Sequence, residues 1–239
     1  MALRAAPVTA AARHVAIIMD GNRRWSRTHE VSLPEGYRRG VGALRNAVAA
    51  AIDHGVDVLT VYGFSTENWR RDASEVSLLM GVCAAAAQSE LFALVRESVR
   101  VRVVGDIAPF PRATRSALLQ LVDATAHNTR LTLQLALNYS GRAEILQAVR
   151  SIVADAASGQ VRSDDIDESF LRARMYAPDC PDPDLLIRTG GDLRVSNFLL
   201  YQLAYTEIVA TPVLWPDFEK KHFAAAISDF EQRRRRFGA

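Results

Sequence analysis

Six short, nearly unbroken apolar runs punctuate the chain, and longer stretches with apolar residues every three or four positions fill the intervals. The runs are His14 to Met19, Val56 to Phe64, Val99 to Val104, Leu131 to Leu137, Leu185 to Ile187 and Glu207 to Ala210. A strand covered on both faces reads as continuous hydrophobic sequence, whereas one with a wet face alternates, so these runs suit a parallel sheet. Between them, Val41, Leu44, Val48 and Ile52 predict a helix stopped at Gly55. Glu75 to Ser98 predicts a long helix with one buried stripe. Further helices are expected over Arg112 to His127, around Ile145 to Val153, over Ser196 to Tyr205, and from Phe218 to Phe237. The alternation predicts an α/β fold, a single-domain, mostly parallel sheet of about six strands covered by helices.

With 239 residues, 49% of them hydrophobic, one substantial core is affordable and no second domain is demanded. Residues 1–13 are expected to be a disordered tail and 14–239 the folded domain. The apolar runs fall short of the roughly 20 residues of a membrane span, and the alanine-rich start lacks a leucine-type core, so a cytoplasmic location is expected. Two cysteines, Cys83 and Cys180, provide neither a disulfide framework nor a metal cluster. Lys220 and Lys221 are the only lysines among 29 basic residues. Arginine grips phosphate oxygens with a planar fork, so where the arginines fall matters more than their number.

They fall at strand ends, where open α/β sheets bind ligands. Asp20-Gly21-Asn22-Arg23-Arg24-Trp25 follows the first run. It suits an ordinary βα turn, and equally a carboxylate that holds magnesium beside a diphosphate cradle. Phe64-Ser65-Thr66-Glu67-Asn68-Trp69-Arg70-Arg71 follows the second. Capping by Ser65 or Thr66 would account for part of it but requires neither Trp69 nor the paired arginines. In the stretch from Arg188 to Phe198, Arg188 and Arg194 flank a Gly-Gly turn, and Ser196 is expected to open a helix whose amides favour an anion. Glu207 either starts its strand exposed or, if buried, needs a metal or arginine partner. Two patterns carry less weight. Asp164-Asp165-Ile166-Asp167-Glu168 suits the first turn of a helix. The run Arg233 to Arg236 closes a helix amid acidic residues, so no nucleic-acid partner is expected.

At these motifs the sequence resembles the cis-prenyltransferase family, whose bacterial prototype is undecaprenyl diphosphate synthase. The resemblance runs from His14 to Gly238 through IIMDGNRRW, YGFSTENWRR, NYSGR, IRTGGDLRVSNFLLYQLAYTEI and LWPDF. It implies a magnesium-dependent prenyl diphosphate synthase acting on dimethylallyl, isopentenyl, geranyl or farnesyl diphosphate as a homodimer, with peripheral membrane contact only for a long product. Asp20 then matches the essential metal-linked aspartate and Glu207 a residue assisting magnesium. Gly21, Asn22, Arg24 and Arg71 match the allylic diphosphate site, and Arg188, Arg194 and Ser196 the isopentenyl diphosphate site. Asn68 and Ser65 match polar groups near the reacting carbon, with Trp25 and Trp69 flanking. Arg23, Tyr37 and Glu67 complete the expected substrate-binding set.

The chain departs from the family pattern at Leu33, where a basic residue is usual, and at Tyr37, where histidine is usual. Asp72 replaces a proline, Asp192 a glutamate, and Val209 and Ala210 aromatic residues. The allylic pocket is therefore altered while the metal and second-substrate elements survive. An irregular head-to-middle coupling of short diphosphates, as in lavandulyl-type members, is the alternative this leaves open. A non-catalytic partner subunit should have lost Asp20 or the allylic arginines, and this chain keeps them.

Overall fold

A computed structural model describes residues 11–233. In chain order the elements are β1 (His14–Ile18), α1 (Asn22–Thr28), α2 (Leu33–Asp53), β2 (Val58–Ser65), α3 (Ala73–Arg96), β3 (Val99–Val104) and α4 (Arg112–Thr125). There follow β4 (Leu131–Tyr139), α5 (Gly141–Ala157), α6 (Glu168–Arg172), β5 (Leu185–Arg188), β6 (Glu207–Ala210) and α7 (Lys220–Gln232). The six strands form one sheet in the order β3-β4-β2-β1-β5-β6, and every neighbouring pair is parallel. All five residues of β1 and all four of β5 are buried, which is why they read as unbroken apolar runs.

Successive residues still serve opposite faces. Val15 and Ile17 join the larger core, with Leu59, Leu133, Leu118, Phe218 and Phe223, under the helices α2, α4 and α7. Ala16 and Ile18 join the smaller one, with Leu186, Tyr139, Phe198 and Leu199. The chain leaves β1 towards β2 on one side while β5 lies on the other, so a crevice opens between the loops that follow β1 and β5.

Several expectations need correction. α2 begins at Leu33, eight residues before its apolar periodicity, because its first turns pack through glycine. A Cβ at Gly36 would overlap Ser26 Oγ, and one at Gly40 would lie 2.6 Å from Asn22 Oδ1. No helix follows Ser196: Ser196, Asn197 and Leu199 are all left-handed, with φ of 47°, 62° and 43°. The adjacent Phe198 and Leu199 are both buried, which favours an irregular path over one apolar stripe. The acidic run forms a 3₁₀ turn (Ser163–Asp165) before the short α6.

Ala12 is buried and the Arg13 amide donates to Asp184, so these residues belong to the fold; positions 1–10 of the expected tail lie outside the described residues. So do Arg234 to Arg236, whereas Arg233 pairs with Asp229 and Glu207. Among the described residues α3 alone is long and apolar enough to cross a membrane, with mean hydropathy 1.8. Its Leu79, Cys83, Ala86 and Ala87 line a cavity that is partly open to solvent.

Candidate active site

Asp20 stands two residues beyond the carboxyl end of β1. Its Oδ2 accepts from Arg188 Nη2 at 2.8 Å, and its Oδ1 lies 3.3 Å from Arg24 Nη2. The Asp20 amide donates to Thr189 Oγ1 (2.9 Å), which donates back to the Asp20 carbonyl (2.7 Å), so the two loops are laced together. Burial alone would raise the Asp20 pKa, but the hydrogen bond and charge of Arg188, joined by Arg24, outweigh it and hold the carboxyl below its usual value. Asp20 is therefore an anion at neutral pH.

Glycine is required here on two counts. Gly21 has φ of 116°, and a Cβ there would approach the Leu214 side chain to 2.9 Å. Gly190 has φ of 86°, and a Cβ there would overlap the Arg24 guanidinium, which lies across it and donates to its carbonyl at 2.7 Å.

Arg188 is almost fully buried and fans its donors to Asp20, to Ser196 Oγ (2.8 Å) and to the Arg194 carbonyl. These bonds hold Ser196 in its left-handed turn, so it serves as a side-chain acceptor rather than a helix N-terminus. Asp192 accepts from Arg194 at 2.7 Å and lies 3.7 Å from Arg188 and 3.9 Å from Arg24. Three guanidiniums thus surround two carboxylates, leaving one excess positive charge, and Arg24 and Arg194 are the exposed members. Such a cluster favours a multivalent anion.

The second motif borders this cluster. A register shift in the β2–β4 pairing skips Gly63, a bulge that turns the strand end before Ser65. The Ser65 amide donates to Asn68 Oδ1 at 3.1 Å, fixing a compact 3₁₀ turn (Thr66–Arg70). Glu67 accepts from Asn197 at 2.7 Å, which joins the second motif to the third. Trp69 donates to Asn138 at 2.8 Å and meets Phe64 edge to face. Arg71 donates to Glu75 Oε1 at 2.9 Å, and the same oxygen accepts from the buried Tyr37 hydroxyl at 2.8 Å. Arg23 approaches the other Glu75 oxygen at 3.8 Å. Burial and the Glu75 carboxylate push the Tyr37 pKa well above its ordinary value, so the hydroxyl stays a donor.

Most of the expected residues therefore converge at one end of the sheet, but Glu207 does not. Trp25, next to Arg24 on α1, is buried and stacked on His29 at 4.2 Å. Glu207 pairs in register with Leu185, whereas Arg188 pairs with Ala210. Within one chain Glu207 thus lies three residues of strand, about 10 Å, towards the opposite end, where it accepts from Arg233 at 3.0 Å. Sequence reasoning missed Glu75 and Thr189. Arg71 lies in the extended link just before α3 and Glu75 in the first turn of that helix, so the two meet across the helix start.

Behind the polar cluster lies a cavity of about 600 Å³. Asn22 and Tyr37 border it near the site, and Val48, Cys83, Leu133 and Leu137 represent its apolar walls from α2, α3 and β4. An anion cradle opening on an apolar tunnel is complementary to an amphiphile with a charged head and a hydrocarbon tail. Among the described residues no group of three or more His, Cys, Asp or Glu side chains forms a ready-made metal site.

The family model for undecaprenyl diphosphate synthase matches residues 18–238. An isoprenyl transferase of Heliobacterium mobile is 49% identical over 226 residues, 95% of this chain and 87% of that protein. The ditrans,polycis-undecaprenyl-diphosphate synthase of Salmonella typhimurium, described as (2E,6E)-farnesyl-diphosphate specific, is 46% identical, with 95% and 90% covered. Among solved structures, lavandulyl diphosphate synthase from Lavandula x intermedia in complex with dimethylallyl diphosphate superposes with a TM-score of 0.93 at 33% identity. That match covers 96% of this chain and 99% of the other.

Proposed function

Because the chain belongs to the undecaprenyl diphosphate synthase family of prenyltransferases, we propose that it extends an allylic diphosphate with isopentenyl diphosphate, seating the growing hydrocarbon in the tunnel between α2, α3 and the sheet. The observation that carries this reading is the juxtaposition of Asp20, Arg24 and Arg188 with an apolar cavity far larger than a five-carbon tail needs.

In this reading Arg24 and Arg71 hold the allylic diphosphate, with Gly21 and Asn22 giving it close backbone approach. Arg194, Ser196 and Arg188 hold the second diphosphate. The allylic carbon–oxygen bond breaks with its electron pair leaving on diphosphate, and the isopentenyl double bond attacks the vacated carbon. A proton then departs to diphosphate or to a polar side chain, with Asn68 and Ser65 placed beside the reacting carbon. The guanidiniums offset charge that grows on the leaving group, in a crevice that screens little.

The donor set fits Mg²⁺, which takes one or two carboxylates and completes its shell with substrate phosphate oxygens and water. Asp20 would hold it, with Asp192 beside it. When bound, the ion would neutralise charge on the departing diphosphate. We expect the enzyme to act in the cytoplasm as a homodimer, since Leu146, Val149 and Val153 leave an exposed apolar stripe along α5.

The likeness to lavandulyl diphosphate synthase, with Tyr37 and Leu33 departing from the usual family residues, supports a second reading in which two short diphosphates couple head to middle. One experiment separates them: incubation with Mg²⁺ and dimethylallyl diphosphate alone, or with geranyl or farnesyl plus isopentenyl diphosphate, and product analysis by mass spectrometry and NMR. Linear products lengthened by isoprene units support elongation. A branched ten-carbon product from dimethylallyl diphosphate alone supports irregular coupling, and no product in either arm contradicts both.

A further inference from the structure

The two helices that wall the tunnel begin together, where Tyr37 of α2 meets Glu75 of α3. They meet again further on. Arg45 of α2 sets its fork on Glu90 of α3, Nε to Oε2 at 2.7 Å and Nη2 to Oε1 at 2.6 Å. At 1.5 Å per residue this contact lies about 12 Å beyond Tyr37 along α2 and about 22 Å beyond Glu75 along α3. Both side chains line the tunnel, which continues past them to Ile52, Ala93 and Leu94.

Two other ion pairs stand at the far rim, Asp53 with Lys220 at 2.7 Å and Glu97 with Arg130 at 3.4 Å. Neither joins α2 to α3; the Arg45–Glu90 fork does. The Arg45 side chain is 60% exposed and that of Glu90 17%, so the fork crosses the solvent side of the cleft. Around it the lining includes Ala49, Ala86 and Ala93, side chains too small to bridge the helices by bulk.

We propose that the Arg45–Glu90 fork is a strap that holds α2 and α3 closed over the tunnel and so sets the longest hydrocarbon chain the enzyme accommodates. The inference rests on the prenyltransferase reading above and adds a specificity-determining pair to it. An ion pair this exposed contributes little to global stability, so removing it should leave the fold intact while freeing the helices to part. A longer chain would then gain wall contact that the closed tunnel denies it.

The test measures binding first and turnover second. Affinities of the intact protein are determined calorimetrically, with Mg²⁺, for unreactive geranyl, farnesyl, geranylgeranyl and hexaprenyl thiolodiphosphates. For the wild type, affinity rises with length and then levels. For Arg45→Ala and Glu90→Gln the rise continues past that point, by up to about fivefold for the longer analogues, the most that releasing a pair this exposed can return. The exchange Arg45→Glu with Glu90→Arg restores the wild-type plateau, which a merely structural role for either residue would not do. In turnover, the single variants shift the product distribution to longer chains. A plateau at the same length in wild type and single variants, with unchanged melting, overturns the strap and leaves the prenyltransferase reading standing. Failure of the wild type to bind any of these analogues overturns both.

Discussion

Replacing Tyr37 by phenylalanine removes one oxygen from the Tyr37–Glu75–Arg71 cluster and nothing else. That oxygen donates to Glu75 Oε1 at 2.8 Å and lies 3.2 Å from Arg71 Nη1. Its loss orphans no one, because Glu75 keeps Arg71 at 2.9 Å and Arg71 keeps Glu75. The cost is therefore two hydrogen bonds to charged groups, about 1.5 kcal/mol in all because the one from Arg71 is long and Arg71 is a third exposed. In a domain of this size that lowers the melting temperature by roughly 3–6 °C.

Glu75→Leu behaves differently, since it strips the buried partner from Tyr37 and from two arginines at once; about 3 kcal/mol is expected. Kinetically, Tyr37→Phe loosens Arg71, raising KM for the allylic diphosphate by about threefold to tenfold with little change in kcat. The assay is thermal unfolding by circular dichroism beside steady-state kinetics with the allylic substrate varied. Equal destabilisation by the two substitutions would refute the argument that Glu75 is the hub, as would a KM effect confined to isopentenyl diphosphate.

Four further outcomes are expected. Asp20→Asn keeps the shape of the site but removes its anion, so turnover should fall at least about a hundredfold with an unchanged far-ultraviolet spectrum. Because Arg188 and Arg24 depress the Asp20 pKa, its contribution to stability is full above the unfolded value near 3.9 and is lost only as pH falls through the lower folded one, so no acid limb from Asp20 should appear in kcat/KM above about pH 4. Gly190→Ala places a methyl group on the Arg24 guanidinium at a φ of 86°, and should cost about 1–3 kcal/mol in denaturant unfolding while weakening diphosphate binding. Finally, burial lowers the His14 pKa to about 4 against an unfolded value of 6.5. Between those values the unfolded chain takes a proton that the native state refuses, so stability falls on acidification. From pH 7 to pH 5 the loss is about 2 kcal/mol, and His14→Gln should flatten the denaturant midpoint over that range by the same amount.

The strands were legible because β1, β2 and β5 carry runs of four or five buried residues, and such strands leave an apolar signature. The first turns of α2 were not, because Gly36 and Gly40 make close contact without apolar side chains. Ser196 to Tyr205 looked helical by its apolar spacing, yet Arg188 captures Ser196 Oγ and the Arg194 carbonyl, and long-range hydrogen bonds prevail over local preference. In the site, motifs at strand ends identified Asp20, Arg24, Arg188 and Arg194 correctly as neighbours. Glu75 escaped because an acid in the first turn of a helix has a commonplace explanation as a dipole partner. Trp25 was expected to flank the site by resemblance to the family; a helix turns successive side chains about 100° apart, and its ring is buried against His29. Glu207 shares a motif with Arg188 in sequence and lies near the other end of the sheet in space.

The account depends on the diphosphate head meeting Asp20 and its arginines while the hydrocarbon tail enters the tunnel behind them. A crystal structure with Mg²⁺ and farnesyl thiolodiphosphate tests this most directly. It should show pyrophosphate oxygens within hydrogen-bonding distance of Arg24 and Arg71, the metal on Asp20, and the tail running past Val48 and Cys83 between α2 and α3. Pyrophosphate bound near the amino ends of the strands, or a tail lying outside an empty tunnel, would contradict it.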